Sequence, residues 1–527
     1  MPFGTDFDFT NMNVAVCIAA LVSYGALYAW KARNSTKTLP HPPGPPGFPL
    51  IGNLADLPSQ PAWIAYLKMG EKYNSDIIRL NVLGSNIIIL NSAEAITDLL
   101  EKRSQNYSDR NEMVMLNELC GMGWGTAFLR YNNFWKDQRR AFQQDFHPEG
   151  VKRFRPIEEE ETYLFLEKLL KRPEDFMDHL RHMAGAAILK IAYGIEIQPE
   201  NDPFLYTAER ATEAISATTN AGSYLVDVLP FLKYVPAWFP GAGFQREARV
   251  WKRYAMKMLH EPFEMVKHQV EIGVAPDCVA GSLLETMVKG AKDTGYMESV
   301  ARGALASMYV AGADTTVSAL GSFILAMVLY PEVQQKAQAE IDQCCSGRLP
   351  TFADYNSLTY CHAILREALR WNPVVPLAVP HRCSTDDFYK GCYIPKDSLL
   401  VGNTWAMLHD EAAYPDPLIF NPDRFIKDGR LNPEVRDPTV SAFGYGRRIC
   451  AGRHMAYESM WFNIASILAV FNLAKAKDEH GVEITPSEEY IMGFLCYPQP
   501  FKCDIRPRSS ELQALLEATR DNISSQT

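Results

Sequence analysis

The chain has 527 residues, 47% of them hydrophobic and 22% charged, with 32 glycines and 34 prolines. These proportions belong to a folded globular protein and exclude collagen-like, disordered and disulfide-scaffold chains. A formal net charge of −10 leaves no general basic footprint for nucleic acid, and the 11 cysteines form neither a Cys-x-x-Cys pair nor a zinc-like spacing, which fits a reducing compartment.

Val14 to Trp30 is an uncharged, apolar run of 17 residues, at the lower limit for a membrane-spanning helix. Tyr24, Tyr28 and Trp30 gather at its end, and Lys31, Arg33 and Lys37 follow it. Positive charge after the run, rather than before it, predicts a single-pass anchor over residues 1–33 with the body in the cytosol, not a cleaved signal peptide. Residues 34–52 form a Pro/Gly-rich hinge, stiff and extended. Composition leaves open whether it orients the body or merely links it. The sequons at Asn34, Asn106 and Asn522 are expected to be unmodified if the body faces the cytosol.

Residues 53–508 show no repeat and no second linker, and read as one large domain, mainly α with small β-sheets. Ile77–Leu80 and Ile87–Leu90 around Gly84-Ser85-Asn86 predict a hairpin, followed by a helix over Ser92–Arg103. Leu229–Gly241, rich in proline and aromatic residues, is either a segment that dips into a membrane interface or a packed loop. Met297–Tyr330 predicts one unusually long helix, stopped by Pro331. It is apolar enough to suggest a second span, but Asp314, Thr315 and Thr316 near its middle favour a buried helix crossing a soluble domain. Residues 509–527 read as a polar, frayed tail.

Four motifs carry chemistry. Phe443-Gly-Tyr-Gly-Arg-Arg-Ile-Cys450-Ala-Gly-Arg453 precedes a helix over His454–Val470. Nearby cations and a helix N-terminus lower a thiol pKa, which makes Cys450 a candidate metal-ligating thiolate. In Ala311-Gly-Ala-Asp-Thr-Thr316, small residues let a flat ligand approach, and a hydroxyl competing for a backbone carbonyl can open the helix beside an acid. Glu367 and Arg370 share a helix face, with Arg424 downstream in Phe420-Asn-Pro-Asp-Arg-Phe425. Trp135 and Arg139 stand at i, i+4. Taken singly, each also has an ordinary reading: a structural cysteine, a small-residue packing face, a surface ion pair, a cation beside an aromatic ring.

Together and in their chain order, from Trp135 and Arg139 through the long helix, Glu367 with Arg370, and Arg424 to the cysteine loop, the motifs resemble the cytochrome P450 family, whose cysteine loop Phe-x-x-Gly-x-Arg-x-Cys-x-Gly is met by Phe443, Gly446, Arg448, Cys450 and Gly452. The resemblance runs from the hinge to about Arg506 and is nearest to microsomal fungal members of secondary metabolism. It implies the P450 fold and a haem b whose axial thiolate is Cys450, with Phe443 beside the sulfur. Trp135, Arg139, His381 and Arg448 would hold the haem propionates, Asp314 would relay protons, and Thr315 would order water near O2. Glu367, Arg370 and Arg424 would form a buried structural triad, although the usual Pro-Glu-Arg-Phe reads Pro-Asp-Arg-Phe here.

The activity implied is that of a monooxygenase oxidising a lipophilic small molecule, such as a terpenoid, with Met308, Ala311, Val375 and Phe494 at the substrate. Too few residues follow Cys450 for a fused flavin domain, so electrons would come from NADPH through a separate NADPH–cytochrome P450 reductase docking near Lys136, Arg140 and Arg447. The anchor would place the protein in the endoplasmic reticulum membrane. The alternatives are a P450-fold isomerase or dehydratase that does not use O2, and a non-enzymatic haem protein. The intact Asp314-Thr315 pair argues against the first, and neither that pair nor a substrate chamber would serve the second.

Overall fold

The computed structural model describes residues 39–58, 61–219 and 223–524. The predicted anchor and the Asn34 sequon lie outside the described residues. The described part of the hinge is strapped to the body: the Arg79 N–H donates to the Pro43 carbonyl at 2.9 Å, and the Tyr393 N–H donates to that of Pro40 at 2.6 Å. A Cβ on Gly44 would collide with the Arg79 carbonyl oxygen, so this close approach requires glycine.

The predicted hairpin forms from β1 (Ile77–Val82) and β2 (Ser85–Leu90), with Ile77 opposite Leu90. The turn is Leu83-Gly84, with φ of 49° and 90°, one residue earlier than expected, and Ser85 and Asn86 pair within the strand. Positive φ at both central residues suits the right-handed twist of the flanking strands. Strands β3 (His381–Arg382) and β4 (Leu399–Gly402) complete a four-stranded sheet in the order β1-β2-β4-β3, with β4 parallel to β2. Ser92 caps the helix that follows the hairpin by accepting from the Ala95 N–H; it continues to Lys102 through wider turns.

The rest is largely helical: α1 (Asn133–Asp145), α2 (Arg155–Lys171), α3 (Phe176–Tyr193), α4 (Pro203–Thr218), α5 (Gly243–Glu271), α6 (Thr294–Gly312), α7 (Thr315–Leu329), α8 (Pro331–Cys345), α9 (Thr359–Trp371) and α10 (Arg453–Val470). After α10 come β5 (Phe471–Lys477), β6 (Glu483–Ile484), β7 (Tyr490–Ile491), β8 (Tyr497–Pro498) and β9 (Cys503–Pro507). They form a three-stranded sheet in the order β6-β5-β9 and a separate β7-β8 pair. The segment read as a frayed polar tail carries a helix, α11 (Ser510–Ser524), whose Leu516 is buried.

The single long helix expected over Met297–Tyr330 is two helices, broken at Ala313-Asp314. The Thr315 hydroxyl donates to the Ala311 carbonyl at 2.9 Å, a side-chain bond that competes with the helical ladder at this point. The break separates two cores. Residues Ala301 to Tyr309 of α6 pack with α1, α4 and α5, whereas Val317 to Val328 of α7 pack with α2, α9 and α10. Leu320, Phe323, Ile324 and Met327 are wholly buried, each stabilising the fold by about 1.5–3 kcal/mol. Thr294–Leu329 is long and apolar enough to cross a membrane, but 72% of its most apolar window is buried in the protein, as in a core helix. Tyr330 leaves the helical region before Pro331, which opens α8.

Candidate active site

Gly444 and Gly446, at φ of 78° and 55°, fold the cysteine loop. A side chain at Gly446 would strike the Leu100 carbonyl, and the Gly446 N–H donates to Glu101 at 2.6 Å. Tyr445 anchors the loop inward, with its buried hydroxyl 2.7 Å from that of Thr404. The Cys450 N–H donates to the Phe443 carbonyl at 2.8 Å, closing the loop just before α10.

Cys450 has exposed surface, yet burial pushes its thiol above its usual range, against the Gly452 N–H and the charges of Arg139 and Arg453. A thiol that is open and yet surrounded by protein faces an internal cleft. Ala311 is likewise exposed, although it follows the most deeply buried stretch of α6. Val310, Val379, Ala451, Met455 and Phe494, drawn from four stretches of chain, pack on one core while remaining partly uncovered. The sequence reading expected a depressed thiol pKa. Burial outweighs the helix terminus and the cations, so a thiolate here needs a bound cation.

Around this cleft the charge is one-sided. Asn132 caps α1 by accepting from the Trp135 N–H at 2.9 Å, which aims Trp135 and Arg139 along one face. Arg139 donates to the Ile449 carbonyl at 2.9 Å. Arg448 lies over the Trp135 ring, 4.2 Å from its centroid, and donates to the carbonyls of Ser108 at 2.7 Å and Leu129 at 2.9 Å. His381 is buried, with Nδ1 2.6 Å from the Tyr107 carbonyl oxygen.

Arg110, which no motif had marked, is also buried and donates to the carbonyls of Ala127, Val379 and Pro380 at 2.8–2.9 Å. Burial, with Arg448 beside it, holds Arg110 well below its ordinary range; burial likewise lowers Arg139 and pushes Arg448 down to about 9. His381 is lowered by burial and by Arg110. The adjacent carboxylate, Asp109, is paired with Arg130 at 2.6 Å. Guanidinium groups stay charged in proteins, so a buried cluster whose one adjacent acid is already paired with Arg130 suits a dianionic ligand. The donor set therefore fits haem: a soft thiolate on one side and several cationic donors for two carboxylates on the other.

Asp314 and Thr315 stand at the helix break, both partly buried. Burial raises the Asp314 carboxyl, opposed by the Tyr497 hydroxyl and by the Arg181 charge. Of the expected substrate residues, Ala311, Val375 and Phe494 keep accessible surface, whereas Met308 is 2% exposed and packed within the core. Glu367, Arg370 and Arg424 come together elsewhere as a buried ion cluster: Arg370 meets Glu367 through two bonds of 2.7 and 2.8 Å, and Arg424 reaches it at 3.3 Å.

Residues 42–505 match the family model for cytochrome P450. The chain is 40% identical over 513 residues to cytochrome P450 monooxygenase ple1 of Rhodocybe pseudopiperita, covering 97% of each chain. It is 41% identical over 502 residues to the tryptamine 4-monooxygenase of Psilocybe cyanescens, covering 94% of this chain and 98% of that one. Cytochrome P450 monooxygenase COX1 of Coprinopsis cinerea is 40% identical over 494 residues, with 92% and 95% covered. The chain belongs to the cytochrome P450 family. It is a haem-thiolate monooxygenase that uses O2, a redox partner and a small-molecule substrate.

Proposed function

We propose that Cys450 is the axial ligand, that Arg110, Arg139, Arg448, His381 and Trp135 hold the propionates, and that the cleft beside Ala311, Val375 and Phe494 receives a lipophilic secondary metabolite. The observation that carries this reading is the cluster of buried cations, whose one adjacent acid is paired with Arg130, beside an open but protein-enclosed cysteine. When bound, thiolate-ligated haem supplies reductive activation of O2, delivering one oxygen atom to substrate and the other to water. The protein's own work is positioning and proton supply. Apolar side chains around the cleft exclude water and orient an apolar substrate. Asp314, with its carboxyl raised by burial, donates a proton toward Thr315 and regains it from the surface side.

Electrons are proposed to arrive from NADPH through NADPH–cytochrome P450 reductase. Lys136, Arg140 and Arg447 are exposed near the cysteine loop and suit an acidic partner. Placement at the endoplasmic reticulum membrane is supported by the apolar run in residues 1–33 and by Phe231, Tyr234 and Trp238, which are 63–79% exposed in the aromatic, proline-rich segment. A cytosolic body agrees with Asn106, whose amide is engaged by Thr385 through bonds of 2.8–3.1 Å and is not free for a glycan.

The test is the carbon monoxide difference spectrum of the reduced protein, wild type against Cys450→Ala. A strongly red-shifted Soret band that vanishes in the variant is expected. A band that persists unchanged without the Cys450 thiol removes this residue as the ligand.

A further inference from the structure

Helix α5 buries Ala248, Trp251, Ala255 and Met258 along one side. Opposite them, at the spacing i, i+3, i+7, stand Arg246, Arg249 and Arg253, with Lys252 beside them, all four exposed. Among the described residues none of the four forms an ion pair. Arg246 donates to the Ala237 carbonyl at 2.7 Å. Glu247, the one acid in these first three turns, accepts from the Tyr224 hydroxyl at 3.0 Å.

This arrangement works against the helix. Cations gather at the positive end of its dipole, no acid occupies its first turn, and Arg249 and Arg253 are like charges one turn apart. Further along α5 the charges are balanced: Lys257 meets Glu261 at 3.6 Å, and Glu264 meets Arg302 at 2.8 Å. The unbalanced charge is confined to one end.

That end adjoins the aromatic, proline-rich segment. Leu225, Phe231, Tyr234, Trp238 and Phe239 are exposed there, Trp238 most of all at 79%. The segment is fixed to α5: Gln245 donates to the Lys233 carbonyl at 2.8 Å, and Arg246 holds the Ala237 carbonyl next to Trp238. Lys233 itself is paired with Glu118 at 2.7 Å. Bare aromatic rings and unpaired cations thus share one fixed corner of the surface. The whole chain has a formal net charge of −10, so its general field repels a negatively charged surface, and a local excess of cations runs against that trend.

We propose that the outer face of the first three turns of α5 is a contact for anionic lipid headgroups: Arg249, Lys252 and Arg253 meet a negatively charged leaflet while Trp238 and Phe239 enter its interface. The inference rests on the reading of the body as membrane-seated through residues 1–33, whose apolar run would keep this corner at high effective concentration beside the bilayer. What it adds is a selectivity for lipid charge, which sets how firmly the body is seated.

The test uses the full haem-loaded chain in nanodiscs of phosphatidylcholine alone or with about 30% phosphatidylserine. Part of the phosphatidylcholine carries bromine on its acyl chains, which quenches tryptophan by contact. Compared are the wild type, Arg249→Gln/Lys252→Gln/Arg253→Gln, and a control of equal charge, Lys292→Gln/Arg430→Gln/Lys477→Gln, taken from exposed cations outside α5. Each has a Trp238→Phe counterpart, whose signal is subtracted to leave that of Trp238. Phosphatidylserine is expected to raise Trp238 quenching in the wild type and the control, shifting the ratio of seated to unseated body by about tenfold or more. The α5 variant is expected to lose that gain while keeping the quenching seen in phosphatidylcholine alone, and salt at about 0.5 M is expected to erase the gain in the wild type. A wild type indifferent to phosphatidylserine overturns the proposal, and so does a control that loses the gain as fully as the α5 variant, since net charge then explains it. An α5 variant that keeps the gain also overturns it; slower reduction by the redox partner in that case would assign the face to protein docking. If Trp238 escapes quenching in both kinds of disc although the chain is anchored, the segment stays out of the membrane, and the membrane-seated reading of the body falls together with the proposal.

Discussion

Arg370 and Arg110 are both buried, but their surroundings differ in kind. Arg370 is closed off: Glu367 binds it through two bonds, and the carbonyls of Leu408 and Pro417 take its remaining Nη1 hydrogens at 3.0 and 2.7 Å. Glu367 in turn accepts from the Asn421 N–H at 2.7 Å and from Arg424. Arg110 has only carbonyl partners, and its nearest charged neighbour besides Asp109 is another cation, Arg448. A completed ion cluster holds chain segments together, whereas an uncompleted one states which ligand the fold expects. Burial alone does not mark a functional charge; the missing counter-charge does.

The harshest way to break this contrast is to open the closed cluster. Arg370→Ala leaves Glu367 ionised, buried and short of its partner, which is expected to cost about 3–5 kcal/mol and to abolish recovery of folded protein. Urea unfolding and the yield of soluble protein measure it. A near-neutral result would mean that the cluster contributes no more than a surface ion pair does. Arg370→Met combined with Glu367→Leu, which removes both charges, is expected to recover much of the loss.

Acid sharpens the same contrast. His362, on the same helix as Glu367, stacks on Trp461 and has both ring nitrogens partnered, by Tyr457 at 3.2 Å and the Tyr355 carbonyl at 2.8 Å. Burial pushes it down to about 4. Its folded value lies below its unfolded value near 6.5, so the unfolded chain takes up the proton first. The stabilisation is whole above pH of about 6.5 and is lost as pH falls toward 4, by about 2–3 kcal/mol. His362→Gln is expected to flatten that part of the stability profile. An unchanged slope would assign the acid sensitivity to other groups.

Opening the other cluster has a different signature. Arg110→Leu removes a charge that has no acid bonded to it and leaves no ionised partner stranded, so its cost to the cofactor-free fold is expected to be smaller than that of Arg370→Ala. Its cost to haem retention is expected to be about tenfold or more. Equal losses of stability for the two variants would erase the distinction between them. Haem transfer to an acceptor protein and unfolding of the cofactor-free chain read the two quantities separately.

The motifs were legible because their residues are close in sequence and their chemistry is narrow: Cys450 in its glycine loop, Glu367 with Arg370, Trp135 with Arg139. Arg110 was not, since its meaning lies in what surrounds it after folding. A helix terminus and nearby cations, which lower the Cys450 thiol, are visible in the sequence, whereas the burial that raises it in the chain without its cofactor is a property of the fold. Composition hid α11 in a polar tail, although Leu512, Leu515 and Leu516 stand at helical spacing. The break at Asp314 was foreshadowed by Thr315, but only the structure shows that it divides two cores.

The smallest effect expected is on the cations left outside both clusters. Arg447 donates to the Tyr131 hydroxyl at 2.6 Å, and Lys136 lies 5.3 Å from the centroid of the same ring. Both are exposed, and Tyr131 also contacts Trp135, which is part of the cleft's wall of charge and aromatic rings. Exposed charges of this kind act mainly on encounter rates and are screened by salt. Replacing Lys136 and Arg447 by alanine is expected to slow reduction by the redox partner about threefold to tenfold at low ionic strength, and hardly at all at about 0.5 M salt, with the carbon monoxide spectrum unchanged. Stopped-flow reduction at two ionic strengths decides it. A slowing that salt does not relieve would mean that the substitutions disturb Trp135 and the propionate side, which would make these residues part of the open cluster rather than its docking face.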